Sequence, residues 1–298
     1  MANVGHRYTA YVLALRPWSF SASLTAVTLG TALAYRVVTT VDVFILIVCA
    51  VTVVAVHGAG NVVNTYYDFL NGIDDKSSDD KTLVDRILEP QDMVRFEFFL
   101  YILGCLCCIG LCLLSPLKSE HLALMYIGGL ASSFLYTGGI GFKYLALGDV
   151  LILLTFGPLI VMFAYSVQVG HMSITPLLYA IPLVLNTEAI LHSNNTRDME
   201  SDRQAGTVTL SILIGPTFSY MLFDLLLFVP YIIFCILACN YAVSMALPLF
   251  SLPMAFSLER QFRTRNYVNI PQETAKLNLV LGLSYSFAII LSPPLSEL

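Results

Sequence analysis

The chain has 298 residues, 57% hydrophobic and 12% charged, with a mean hydropathy of +0.77 and a formal net charge of −5. A soluble domain of this length carries about twice that charged fraction. The apolar residues instead fall into repeated blocks near bilayer-spanning length, so a polytopic all-α membrane protein is expected, with no nucleic-acid partner.

The N-terminal MANVGHRYTAYVLALRPWSF has no apolar region ending in a small-residue cleavage site. The first span is therefore expected to act as the insertion signal. Nine apolar blocks follow in chain order: 18–38, 42–66, 96–115, 120–139, 148–168, 174–196, 216–239, 243–258 and 276–293. Gly and Pro inside several of them are tolerated in membrane helices. Seven cysteines lie inside these blocks. The CLCC run at Cys105–Cys108 lacks the two-residue gap of a metal site and has no His close by, so it reads as lipid-phase packing.

Nine spans sort the basic residues sharply. One side receives Arg7, Arg16, Lys76, Lys81, Arg86, Arg95, Lys143, Arg197, Arg203, Arg260, Arg263, Arg265 and Lys276, and the other only Arg36 and Lys118. The positive-inside rule then places the N-terminus in the cytosol and the C-terminus in the lumen. The loops are too short for a soluble domain, so residues 1–298 are expected to form one membrane domain around a central cavity with a cytosolic-side polar cap.

The second block ends in NVVNTYYDFLNGIDDKSSDD. His57, Asn61, Asn64 and Asp68 are spaced by four, three and four residues, which places them within about 60° on one helical face. Asp74, Asp75, Asp79 and Asp80 follow. The sixth block ends in HSNNTRDMESDRQAG, with Asn194, Asp198 and Asp202 spaced four and four. Both sites read Asn-x-x-x-Asp and run on into Asp followed by a base, Asp80-Lys81 and Asp202-Arg203. A solvated acidic loop explains one such helix end; two matched ends on the same side indicate a faint duplication facing one cavity.

Carboxylate and amide oxygens suit Mg²⁺, which shares its shell with substrate phosphates. Each pair of like charges near 4 Å costs on the order of 4 kcal/mol at an effective dielectric of ~20. Carboxylates therefore accept a diphosphate only through a bridging metal, with Lys81, Arg86, Lys143, Arg197 and Arg203 completing the neutralisation. A diphosphate so held is a good leaving group. If its carbon chain is allylic, departure leaves a cation in an apolar groove, ready for capture by a carbon nucleophile.

The paired motifs on the second and sixth of nine helices resemble the UbiA superfamily of intramembrane aromatic prenyltransferases. NTYYDFLNGID, DDKTLVDRILEPQD, FLYTGGIGFKYLALGD and HSNNTRDMESDRQAG carry the resemblance, which covers essentially the whole chain and is closest to animal members. It implies geranylgeranyl diphosphate as donor, reduced menadione (a naphthoquinol) as acceptor, menaquinone-4 (vitamin K2) as product and Mg²⁺ as cofactor. It further implies endoplasmic reticulum and Golgi membranes and an association with HMG-CoA reductase. Where the superfamily commonly has a third motif Asp, this chain has Gly72. The metal set is accordingly carried to Asn64, Asp68, Asp74, Asn194, Asp198 and Asp202.

Other residues complete the expected site. Arg16 of RPWSF reads either as a snorkelling anchor or, by the resemblance, as a substrate contact. Asn61 and Asn195 are expected to bind substrate. His57 and Glu188 are expected to position or deprotonate the acceptor hydroxyl, with His192 a further candidate; interhelical hydrogen bonding is the plainer alternative. Tyr67 and Tyr136, with Tyr66, present rings able to stabilise a carbocation, or to anchor at the interface. Asp224 stands outside both motifs. A cation-coupled transporter would place its acids near the bilayer midplane on broken helices, whereas these clusters sit at helix ends. A CDP-alcohol phosphotransferase would need a DG-x2-AR run, which is not present.

Overall fold

Asp42 starts a long helix by chemistry visible in its own side chain. Its Oδ1 accepts from the Phe44 and Ile45 amides at 2.7 and 3.1 Å, satisfying two donors that the first helical turn leaves free. At the next helix start Pro90 follows Glu89, and Glu89 and Asp92 form a reciprocal capping box. The computed structural model describes residues 4–74 and 82–293. Among them the helices are α1 (Val4–Ala14), α2 (Phe20–Val38), α3 (Val43–Leu70), α4 (Pro90–Leu114), α5 (Ser119–Leu135), α6 (Gly148–Leu154) and α7 (Ile160–Val169). There follow α8 (Thr175–Arg197), α9 (Met199–Gln204), α10 (Leu210–Asn240), α11 (Leu252–Arg263) and α12 (Ile270–Leu291).

Five helical stretches among the described residues are long and apolar enough to cross a bilayer: α3, α4, Gly148–Val169, α10 and α12. α4 turns most of its apolar side chains outward: Phe98, Ile109 and Leu113 are 66%, 58% and 82% exposed. So wide an apolar face calls for lipid rather than water. The expected blocks at 18–38, 120–139 and 174–196 appear as α2, α5 and α8. The block at 243–258 differs from a single membrane helix. Val243–Ser251 is a 3₁₀ run containing Pro248, and α11 begins at Leu252 with a proline in its first turn, where the missing N–H costs nothing. The seventh block begins where expected, because Gly215 (φ 76°, ψ 171°) breaks α10 just before Pro216.

The helices meet through small residues and buried amides. Asn278 of α12 donates to Asn186 Oδ1 and Thr187 Oγ1 of α8, both at 3.1 Å, and accepts from Thr25 of α2 at 3.2 Å. At Gly30 of α2 a Cβ would lie 2.4 Å from the Val161 carbonyl oxygen, an approach that only glycine allows. Gly30→Val is accordingly expected to lower stability by about 1–3 kcal/mol through overpacking, read as a reduced Tm of the purified protein. Between α6 and α7, Thr155–Leu159 forms one π-helical turn around Pro158. Leu145 and Val208 form an isolated parallel bridge that ties the segment after α5 to the one after α9.

Candidate active site

A cavity opens between α3, α5, the α6–α7 stretch and α8. Its polar end carries Asn61, Asn64, Lys143 and Asn194, and its apolar walls include Val53, Met125, Leu159 and Phe163. Along α3 the lining runs from Asn64 back to Thr52, a depth of ~18 Å at 1.5 Å per residue. The π-helical turn points Phe156 into this space, edge-on to the His57 ring at 4.5 Å.

The two motifs repeat one geometry. On α3, Asn64 Nδ2 donates to Asp68 Oδ2 at 2.5 Å, and Lys143 Nζ reaches Asp68 at 2.7 and 2.9 Å and Asn64 Oδ1 at 3.5 Å. On α8, Asn194 Nδ2 donates to Asp198 Oδ2 at 3.2 Å. Arg197 grips Asp198 at 2.7 and 2.8 Å and Asn194 Oδ1 at 2.9 Å. Each half therefore places an Asn and an Asp together at the four-residue spacing and adds a base, Lys143 or Arg197, that the spacing does not specify. Tyr144 adds a hydroxyl to Asp68 at 3.0 Å. Burial and the facing Asp68 push its phenol well above the usual range.

Asp202 lies between the halves, 3% exposed on α9. Burial raises its carboxyl to about 6; Lys143 opposes the shift and Asp198 and Asp68 add to it. Where the two motifs approach, the three carboxylates of Asp68, Asp198 and Asp202 face the two bases Lys143 and Arg197, a charge balance that fits a divalent cation. Among the described residues no three acidic, His or Cys side chains form a ready metal cage.

The remaining expected residues divide by position. Arg16, His57, Asn61, Tyr136 and Lys143 line the cavity. Arg16 is held in the left-handed region (φ 49°) just before Pro17. His57 is fixed through both ring nitrogens, by Ser19 at 3.2 Å and Ser23 at 3.0 Å. Asn61 donates to the Leu15 carbonyl and to Ser19. Tyr67 stands off the wall, edge-on to Tyr66 and Phe134. Asp74 follows the end of α3, half-buried, its amide directed at the Asp68 carbonyl. Arg86 and Arg203 are exposed, Arg203 paired with Glu200 at 3.1 Å. Lys81, with Asp75, Asp79 and Asp80, lies outside the described residues.

Glu188 and Asn195 are buried behind the cavity wall rather than on it. Their partner is Asp149, which the motif reading passed over. Asn195 Nδ2 approaches Asp149 Oδ2 at 3.4 Å, and the Glu188 carboxyl meets the Asp149 carboxyl. The signal was present: Asp149 is an acid inside the fifth apolar block, and an ionisable group within a span is a site candidate by default.

The model of the UbiA prenyltransferase family matches residues 23–282. UbiA prenyltransferase domain-containing protein 1 of Gallus gallus is 71% identical over 284 residues, covering 95% of this chain and 85% of that protein. The Xenopus tropicalis protein of the same name is 71% identical, covering 95% and 82%. Among solved structures, a UbiA homolog from Archaeoglobus fulgidus bound to GPP and Mg²⁺ superposes with a TM-score of 0.65 at 14% identity, covering 94% of this chain and 99% of the other. That likeness establishes a shared fold.

Proposed function

This chain belongs to the UbiA prenyltransferase family and is a membrane prenyltransferase, and on that premise we propose that it transfers a geranylgeranyl group from its diphosphate to reduced menadione, forming menaquinone-4. The observation that carries this reading is the pair of Asn-x-x-x-Asp ends at the mouth of an apolar cavity ~18 Å deep. The polar end matches a diphosphate, and the depth matches a long isoprenoid tail. Asn64, Asp68, Asp74, Asn194, Asp198 and Asp202 would hold Mg²⁺; that the archaeal homolog of this fold is bound to GPP and Mg²⁺ supports a divalent metal with the diphosphate. When bound, the metal supplies positive charge that makes the diphosphate a better leaving group.

The chain's own side chains do the rest. Lys143 and Arg197, which here hold Asp68 and Asp198, are the bases able to donate to phosphate oxygens. The walls at Phe156, Leu159 and Phe163 keep water from the allylic cation. His57, at the cavity wall and held by two serines, orients the acceptor hydroxyl. The product is apolar and leaves into lipid. We read residues 1–298 as one such domain, resident in endoplasmic reticulum and Golgi membranes, with HMG-CoA reductase as a partner.

Purified protein supplied with labelled geranylgeranyl diphosphate, Mg²⁺ and a panel of reduced quinones is expected to label menadiol. Labelling of none of them refutes prenyl transfer, and labelling of another quinone alone refutes the acceptor. EDTA is expected to abolish turnover and Mg²⁺ to restore it; full turnover in chelator would remove the metal from the scheme. For orientation, tags at the two ends are expected to differ in protease access in sealed microsomes, the N-terminal tag being reached from outside. Equal access would contradict the basic-residue asymmetry.

A further inference from the structure

One layer behind the cavity, α6 and α8 bury a group of acceptors with too few donors. Asp149 is 4% exposed, Glu188 3% and His192 0%. Among the described residues, neither Glu188 oxygen, nor Asp149 Oδ1, nor His192 Nδ1 has a hydrogen-bond partner. His192 Nε2 faces the Ser219 carbonyl at 2.9 Å. A carbonyl only accepts, so Nε2 carries a hydrogen, and Nδ1 faces Asp149 Oδ1 3.8 Å away. Two buried carboxyls in contact form a hydrogen bond only when one of them is protonated. The free oxygens of Glu188 and Asp149 thus leave buried acceptor positions open to a proton.

Tyr136 connects this pair to the cavity. It lines the wall, and the charges of Asp149, Glu188, Asp68 and Arg16 all reach its phenol. A Cβ on Gly148 would lie 3.1 Å from Tyr136 Cε2 and 3.6 Å from its hydroxyl oxygen. The phenol oxygen thus rests against the backbone immediately before Asp149, in space that Gly148 leaves open.

We propose that Asp149 and Glu188 form a shared-proton pair that, through Tyr136, takes the proton released when the aromatic acceptor is prenylated. This deepens the prenyl-transfer reading and rests on it. In that step a ring carbon of the acceptor bonds to the prenyl carbon whose bond to diphosphate oxygen breaks. The acceptor hydroxyl gives its proton to the Tyr136 oxygen while Tyr136 gives its own to the carboxylate of the pair, and the hydrogen left on the alkylated ring carbon then passes to the freed oxygen, restoring the aromatic quinol. Diphosphate leaves with the electrons of the broken bond. In a chamber that excludes water, some internal base has to take this proton, and these carboxyls are positioned for it.

A structural latch between α6 and α8 is the competing role, and it predicts something different. Asn186 and Thr187 of α8 already bond Asn278 of α12, so the helix is anchored there without Glu188. Asp149→Asn and Glu188→Gln keep shape and give the orphaned oxygens an amide donor. A latch would be unchanged or tightened by them. The groups facing the pair are His192 and Asn195 on α8, Tyr136 after α5, and the Ser219 carbonyl of α10. Arg16, Asp68 and Lys143 stand farther out toward the cavity.

The test uses the full chain in nanodiscs with geranylgeranyl diphosphate, Mg²⁺ and menadiol. Both amide variants are expected to lose about 10²-fold in kcat, with the donor KM and the Tm unchanged. The acidic limb of the wild-type pH–rate profile is expected to vanish in both. Glu188→Asp should restore part of the rate and the limb, and Tyr136→Phe should reproduce the amide phenotype. Near wild-type kcat in either amide variant, or a loss that tracks a fall in Tm and is not relieved by Glu188→Asp, overturns the proposal. Wild-type protein run alongside separates the two readings. Transfer by wild type with unimpaired variants removes the pair alone, whereas a wild type that prenylates no quinol removes both.

Discussion

Asp68→Asn and Asp198→Asn are each expected to lower prenyl transfer by at least about 10²–10³-fold, the scale of losing one electrostatic partner of a developing charge. The substitution keeps size and one carbonyl oxygen and removes only a charge. The two positions differ in how their charge is embedded, and that difference makes the prediction sharp. Asp68 pairs with Lys143 in a nearly closed environment, their side chains 4% and 10% exposed, whereas Asp198 and Arg197 are 33% and 16% exposed. Disturbing the buried pair should lower Tm more than disturbing the open one. Transfer should nevertheless fall alike in both, because the motifs are matched halves of one site. Mg²⁺-dependent donor binding should weaken with it. His57→Ala, with its ring removed from Ser19 and Ser23, should spare donor binding and impair use of the acceptor. Activity loss that follows Tm rather than motif membership would refute the two-motif mechanism, as would normal donor binding in both Asn variants.

The parts of this site legible in the sequence are those set by helical period. Asn64 with Asp68, and Asn194 with Asp198, are four residues apart, and four residues bring two side chains together on any α-helix. Their hydrogen bonds, at 2.5 and 3.2 Å, follow from spacing alone. Which base completes each pair was legible only as a set. Arg197 adjoins Asp198 in the chain, but Lys143 reaches Asp68 across 75 residues and Arg86 and Arg203 remain exposed. Side-chain direction was the harder quantity. Glu188 and His192 share a face of α8, yet that face packs against α6 and α10, while Thr187, Leu191 and Asn194 turn to the cavity. Hydropathy marks a helix as membrane-embedded without saying which of its sides meets a neighbour. It also passed over the 3₁₀ run at Val243–Ser251, where every residue but the proline and serines reads as an apolar span. Backbone geometry there is decided by Pro248 and by packing against α10 and α12.

Lys143→Met is expected to move two affinities in opposite directions. Lys143 occupies the oxygens that the first motif offers to a metal: both Asp68 oxygens, at 2.7 and 2.9 Å, and Asn64 Oδ1 at 3.5 Å. Arg197 does the same for Asp198 and Asn194. For the carboxylates to take a metal, each base has to yield its place, and the natural destination of an ammonium or guanidinium is a phosphate oxygen. A free divalent ion arrives without that destination, so it competes with the base for the same oxygens. Metal carried in with a diphosphate gives the base somewhere to go. Removing the charge at Lys143 should therefore tighten binding of Mn²⁺ alone, read by the loss of free-ion EPR signal. The same change should weaken binding of the donor in the presence of metal. A hydrogen bond to a charged group contributes about 1.5–3 kcal/mol, so each shift should be roughly 10- to 100-fold. Lys143→Arg, which keeps the charge but changes the donor geometry, should leave Mn²⁺ affinity low. If Lys143→Met weakens Mn²⁺ and donor together, the lysine supports the metal site instead of competing for it. In that case the metal binds the protein first, and the exchange of bases for metal at the two motifs does not occur.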